Sequence, residues 1–175
     1  HSFPTRRSSD LLERLNIEER LGLIHLRLGD FPAAEKILLD VTARRKQFYG
    51  EEHAQYSGCL LSLGLVYEQK GDFSRAESLY RNAYDLRRKA YPELHPEVAR
   101  AMNNLASSLW GLNRIAEAET MHRRALDIQR KTMGENHPEV AISLNNLGHL
   151  LSNQGKRDEA LKLFYEVVAM HKRVG

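Results

Sequence analysis

The chain has 175 residues, 42% hydrophobic and 28% charged, with a formal net charge of +3. So small a charge does not mark a nucleic-acid binder, and without a run of about eighteen apolar residues no membrane span is expected. A single cysteine, Cys59, excludes an internal disulfide and a multi-cysteine metal site and points to a reducing, cytoplasmic setting.

Residues 1–11, HSFPTRRSSDL, share no pattern with the rest of the chain. Back-translated, they resemble a widely used short-read sequencing adapter; a disordered basic tail and a targeting arm are the other readings. A non-native or disordered leader is expected, with the open frame continuing upstream, and it is set aside from the fold. From Leu12 onward the chain repeats itself. His53, His95-Pro96-Glu97-Val98 and His137-Pro138-Glu139-Val140 recur every 42 residues, giving repeats at about 12–50, 53–92, 95–134 and 137–175. A fixed period is decisive for architecture, because each unit buries its apolar face only against its neighbours.

Each unit divides into two helices. The first is expected near 12–28, 54–70, 96–112 and 138–154, the second near 32–48, 74–91, 116–133 and 158–174. Pro96 and Pro138 suit a first helical turn, Glu97 and Glu139 suit its positive end, and Ser74 with Glu77 has capping-box spacing. Breaks fall at Gly29, Gly71, Asn113 and Gly155, residues that tolerate the left-handed conformation ending a helix. Gly22, Gly64, Ala106 and Gly148 form one small-residue column. Ala34, Ala76, Ala118 and Ala160 form a second, and Val41, Ala83, Ala125 and Val167 a third. Small side chains in register let helices approach closely. The implied fold is all-α, a right-handed α-solenoid of four helical hairpins.

These columns resemble the tetratricopeptide repeat family in its 42-residue, kinesin light chain-like form. The family's Leu-Gly-x-x-Tyr core matches Leu63-Gly64-Leu65-Val66-Tyr67. Its second-helix residues match Ala76, Tyr80 and Ala83, then Ala118, His122 and Ala125, then Ala160, Phe164 and Val167. Asn103-Asn104-Leu105-Ala106 and Asn145-Asn146-Leu147-Gly148 look much like kinesin light chain. His122 departs from the usual aromatic, and Glu18 stands where a large apolar residue is usual.

Catalysis finds no support in the sequence. His53, His95 and His137 open successive helices a full repeat apart and read as structural, while His122, His149 and His171 lack ligand spacing to a second His or Cys. No Gly-rich phosphate loop is present. Basic clusters such as Arg87-Arg88-Lys89 end second helices, where cations complement the helix dipole, and acidic residues interrupt any continuous basic face. No cofactor, metal, nucleic acid or membrane partner is expected.

The face of the first helices that the core leaves unexplained is more informative. It carries Asn16, Glu19, Leu23 and Leu26, then Gly58, Leu61, Leu65 and Glu68. Arg100, Asn103, Ser107 and Trp110 come next, then Ile142, Asn145, His149 and Ser152. The resemblance implies that this face lines a concave groove and that Asn103 and Asn145 hold the backbone of an extended ligand, as an amide that both donates and accepts can do. It also implies that Arg87, and Arg45 with it, face acidic cargo; Gln129 and His171 take that place in later units. The leucines of the first two units and the polar residues of the last two suit a segment with an apolar half and a polar or acidic half.

The expected function is a non-enzymatic protein- or peptide-binding scaffold. A regulatory or oligomerising segment of a larger signalling enzyme or ATPase is the alternative, and nucleic-acid binding a more distant one. Helix 158–174 carries Leu161, Leu163, Phe164, Val167, Val168 and Met170, more apolar than a capping helix needs to be. That predicts continuation beyond Gly175, an exposed apolar patch and end-to-end self-association.

Overall fold

The computed structural model describes the backbone of residues 6–174 and the side chains of residues 9–172. These residues form eight α-helices and no strand: α1 (Arg6–Arg27), α2 (Phe31–Tyr49), α3 (Ala54–Gln69), α4 (Phe73–Ala90), α5 (Pro96–Gly111), α6 (Ile115–Met133), α7 (Pro138–Asn153) and α8 (Arg157–Val174). The architecture is an all-α helical repeat. It divides into two compact units, His1–Leu86 and Arg87–Gly175, with the boundary inside α4. In the first unit α2 packs on both α1 and α3. In the second, α5 packs on α6, α6 on α7 and α7 on α8.

Local chemistry sets the helix ends. His53, His95 and His137 cap α3, α5 and α7, their Nδ1 atoms accepting from the backbone N–H of Gln55, Glu97 and Glu139 at 3.2, 3.1 and 3.2 Å. At the breaks between paired helices Gly29, Gly71 and Gly155 take φ of 78°, 77° and 78°, and Asn113 takes 60° in the same place. The backbone closes the same way at all four: the N–H groups of Asp30, Asp72, Arg114 and Lys156 reach the carbonyls of His25, Tyr67, Leu109 and Leu151 at 2.9, 2.8, 2.8 and 3.0 Å. The cap of α4 differs from the expected Ser74. Asp72 comes directly after the left-handed Gly71, and its carboxylate accepts from Arg75 N–H at 3.1 Å.

Of the expected leader, residues 1–5 lie outside the described residues. From Arg6 the chain is already helical, so α1 begins ahead of the start expected near residue 12. The reason is apolar contact: Leu11 and Leu12 pack with Ile37 against buried Leu15, Val41 and Cys59.

The small columns are where the helices touch. Ala34, Ala76 and Ala118 are fully buried and Ala160 nearly so. A Cβ on Gly22 would stand 2.8 Å from Leu38 Cγ, one on Gly64 2.4 Å from Tyr80 Cε1, and one on Gly148 2.8 Å from Phe164 Cε1. The glycine column of each first helix therefore seats the large side chain of the second. Ala106 keeps its methyl where the column residue of the second helix, His122, has a smaller ring.

Two glycines of α3 should respond oppositely to the same substitution. Gly64→Ala drives a methyl into the Tyr80 ring and should destabilise by about 1–3 kcal/mol. Gly58 has open space around its Cβ position, so Gly58→Ala should stabilise by up to about 1 kcal/mol through helix propensity. Thermal unfolding of the two variants checks both signs.

Candidate functional site

The first-helix face proves to be partly a surface and partly the inside of the packing between helices. In the first unit its polar residues are already engaged. Glu19 pairs with Arg45 at 2.7 Å and accepts from Ser62 Oγ at 2.6 Å. Asn16 accepts from Arg45 at 2.6 Å, and Arg45 also donates to Cys59 Sγ at 3.1 Å. The Arg45 side chain is only 8% exposed, so it locks α1, α2 and α3 together instead of facing solvent. Burial pushes the Cys59 thiol up to about 11, keeping it protonated and unreactive. Leu61 is buried. Leu23, Leu65 and Glu68 are half-buried, and Glu68 accepts from the Tyr80 hydroxyl at 2.7 Å while burial raises its carboxyl above the ordinary range.

The second unit repeats this node with neutral groups. Asn103, Gln129 and Ser143 occupy the places that Glu19, Arg45 and Cys59 hold two periods earlier. The Asn103 amide donates to Ser143 Oγ, Ser143 Oγ donates to Gln129 Oε1, and His122 Nδ1 donates to Asn103 Oδ1 at 2.9 Å. Asn103 is 6% exposed, and His122, Gln129 and Ser143 are fully buried. Asn103 therefore differs from the expected ligand-facing residue: its amide joins α5 to α6 and α7. Arg87 differs likewise. It is 5% exposed, held by the Glu97 carboxylate at 2.8 Å and the Glu97 carbonyl at 3.0 Å, and burial lowers its pKa. A guanidinium committed in this way is not offered to acidic cargo. Sequence reasoning missed the node as such, although Arg45 and Cys59 lie in register with Gln129 and Ser143.

What remains at the surface lies on α5 and α7. The Arg100 side chain, 43% exposed, pairs with Glu97 at 3.0 Å and reaches Glu139 on α7 at 3.5 Å. Trp110 is partly exposed, as is Ser107, whose hydroxyl donates to Asn103 O at 3.3 Å. On α7 Ile142 is exposed, Asn145 is half-buried, and His149 and Ser152 are exposed. The His149 ring meets Phe164 edge-on at 5.1 Å between centroids. This strip offers indole, imidazole, amide, hydroxyl and guanidinium groups on two adjacent helices. Among the described residues no three His, Cys, Asp or Glu side chains converge as a metal site would require.

A family model, Tetratricopeptide repeat, matches residues 13–89 and 95–173. The chain belongs to the tetratricopeptide repeat family. Solved structures agree on the fold. The crystal structure of a putative kinesin light chain with nearly identical TPR-like repeats from Podosopora anserina is 23% identical. It covers 92% of this chain and 76% of its own, at a TM-score of 0.68. BtubC (BKLC) from P. vanneervenii is 25% identical, covering 94% of this chain and 63% of its own at a TM-score of 0.75. The apo form of RapI is 15% identical, with 93% and 57% covered and a TM-score of 0.75. None of the curated proteins matches the chain. No described helix of this repeat protein is long and apolar enough to cross a membrane.

The neutral node makes stability depend on pH. Burial lowers the His122 pKa from 6.5 to about 4. The unfolded chain therefore binds a proton at His122 that the folded chain refuses. The stabilisation is complete above pH 6.5 and is lost as pH falls from there toward 4. Between pH 7 and pH 5 this loss is on the order of 2 kcal/mol. His122→Gln, which cannot titrate, should flatten that part of the unfolding profile measured by circular dichroism.

Proposed function

We propose that this tetratricopeptide repeat protein is a non-enzymatic scaffold that holds an extended segment of a partner protein against the exposed strip of α5 and α7, the face expected to line a concave groove. The supporting observation is the strip of Arg100, Ser107, Trp110, Asn145, His149 and Ser152, accessible in whole or part on two helices that touch. The Asn145 side chain makes no hydrogen bond to any described residue, so its amide is available to pair with one peptide unit. Trp110 and His149 supply flat surfaces for side chains or for a proline-bearing backbone. Arg100 is shared between two carboxylates, which tempers its positive charge and favours a polar segment over a strongly acidic one.

In the first unit Leu65 and Glu68 are the part of the expected face left accessible, and they suit an apolar residue with a donor beside it. Leu61, Asn103 and Arg87 act behind the surface, setting the helices that present it. A reducing, cytoplasmic location suits Cys59, an unpaired thiol in the core.

Peptides selected against the chain by display and titrated by calorimetry test this reading. Asn145→Ala should weaken them by about 0.5–1.5 kcal/mol, the worth of one neutral hydrogen bond. Trp110→Ala should cost more, on the order of 2 kcal/mol, as truncation of an aromatic anchor does. Selected peptides indifferent to both changes would show that binding lies elsewhere.

A further inference from the structure

The first helix carries an apolar stripe that the concave-face reading does not use. Ile17, Leu21, Ile24 and Leu28 are spaced to lie on one side of α1 and are 60%, 46%, 52% and 77% exposed. The repeat register identifies what such a stripe is shaped to meet. One period on, the first three columns become Cys59, Leu63 and Val66 of α3, and three periods on they become Ser143, Leu147 and Leu150 of α7. All six are at most 4% exposed. The element that covers them is the second helix of the preceding repeat. Val41 packs with Cys59 between α2 and α3, and Leu126 of α6 lines one small cleft with Leu147 of α7.

The last helix is shaped reciprocally. Val168 is 50% exposed, whereas its counterparts Thr42 and Leu126 are 8% and 5% exposed. His171 is exposed, whereas its counterparts Arg45 and Gln129 are buried. A third pair of columns carries the strongest sign of complementarity. Glu35 of α2 pairs with Lys70 at the end of α3, and Glu119 of α6 accepts from Gln154 just beyond α7 at 2.9 Å. The residue in register with these glutamates on α8 is Leu161, 50% exposed, and the residue in register with Lys70 and Gln154 is Leu28. Both members of a polar contact have been replaced by leucine, one at each end of the chain.

We infer that the outer face of α8 docks on the outer face of α1 of a second copy, reproducing between chains the helix contact that joins one repeat to the next. Val168 meets Leu21 as Leu126 meets Leu147, Leu161 meets Leu28 where glutamate meets lysine or glutamine inside the chain, and His171 lies over Ile17. The contact is heterologous, so a pair of copies still presents one face of each kind to which further copies can add. It is independent of the ligand-binding strip, which lies on other helices.

Sedimentation velocity over a concentration series, using the 175-residue chain, should show species growing beyond the dimer. Leu21→Glu and Leu161→Glu each place a charge in an apolar contact and should weaken association at least tenfold. Melting curves verify that the variants fold, since both sites are about half exposed. Pairing Leu28→Lys with Leu161→Glu in one chain rewrites the internal Glu–Lys contact and should restore association in a salt-sensitive form. Oxidation of a mixture of Leu28→Cys and Leu161→Cys chains should give cross-linked heterodimers. A chain that stays monomeric to its solubility limit overturns the inference. So do oligomers indifferent to both glutamate variants, or cross-links of Leu28→Cys only with itself.

Discussion

Everything in this fold depends on how closely the two helices of one repeat approach. Gly22, Gly64 and Gly148 have no side chain because Leu38, Tyr80 and Phe164 fill the space a Cβ would need. Interiors packed at this density leave no slack, so the column fixes both the spacing and the rotation of the pair. The rotation in turn decides which face of each first helix turns inward and which stays outside. Ala106 beside the column of His122 shows the constraint from the other side, since a methyl is present where the ring opposite in register is smaller.

That substitution has a chemical consequence. A ring nitrogen in the core needs a partner, and Asn103 supplies it at 2.9 Å. Asn103 then bonds Ser143, and Ser143 bonds Gln129, which closes a polar node between α5, α6 and α7. The corresponding node of the first unit is ionic, built on Glu19 and Arg45. Buried polar groups are costly unless satisfied; in the second node His122 Nδ1, Asn103, Ser143 and Gln129 Oε1 are bonded, whereas His122 Nε2 and Gln129 Nε2 have no partner among the described residues. The same position thus carries charge in one unit and amides in another while doing the same mechanical task.

The period, the turn residues and the small columns were legible because they are local and recur; Gly71 and Asn113 announce their backbone from identity and place alone. The α1 start was not, because Leu11 and Leu12 are helical for the sake of Ile37, which is distant in sequence. Asp72 displaced Ser74 as a cap because the left-handed Gly71 fixes which side chain comes first. Asn103 and Asn145 look alike in sequence, yet one is buried and the other half-buried. The difference lies in the neighbours: His122 Nδ1 donates to the Asn103 amide oxygen while Ser143 accepts from its NH2, and Phe164, at the His122 position for Asn145, has no polar atom to offer. Arg87 was unreadable for a similar reason, since Glu97, its ion-pair partner, belongs to the next helix.

We propose that the exposed strip of α5 and α7 is where this protein meets its ligand. Trp110 is the chain's single tryptophan, so its fluorescence reports on that strip alone. Titrating a bound peptide or partner segment that itself lacks tryptophan should shift Trp110 emission to the blue, with a midpoint equal to the calorimetric dissociation constant. Full binding by calorimetry with Trp110 emission unchanged would contradict the claim.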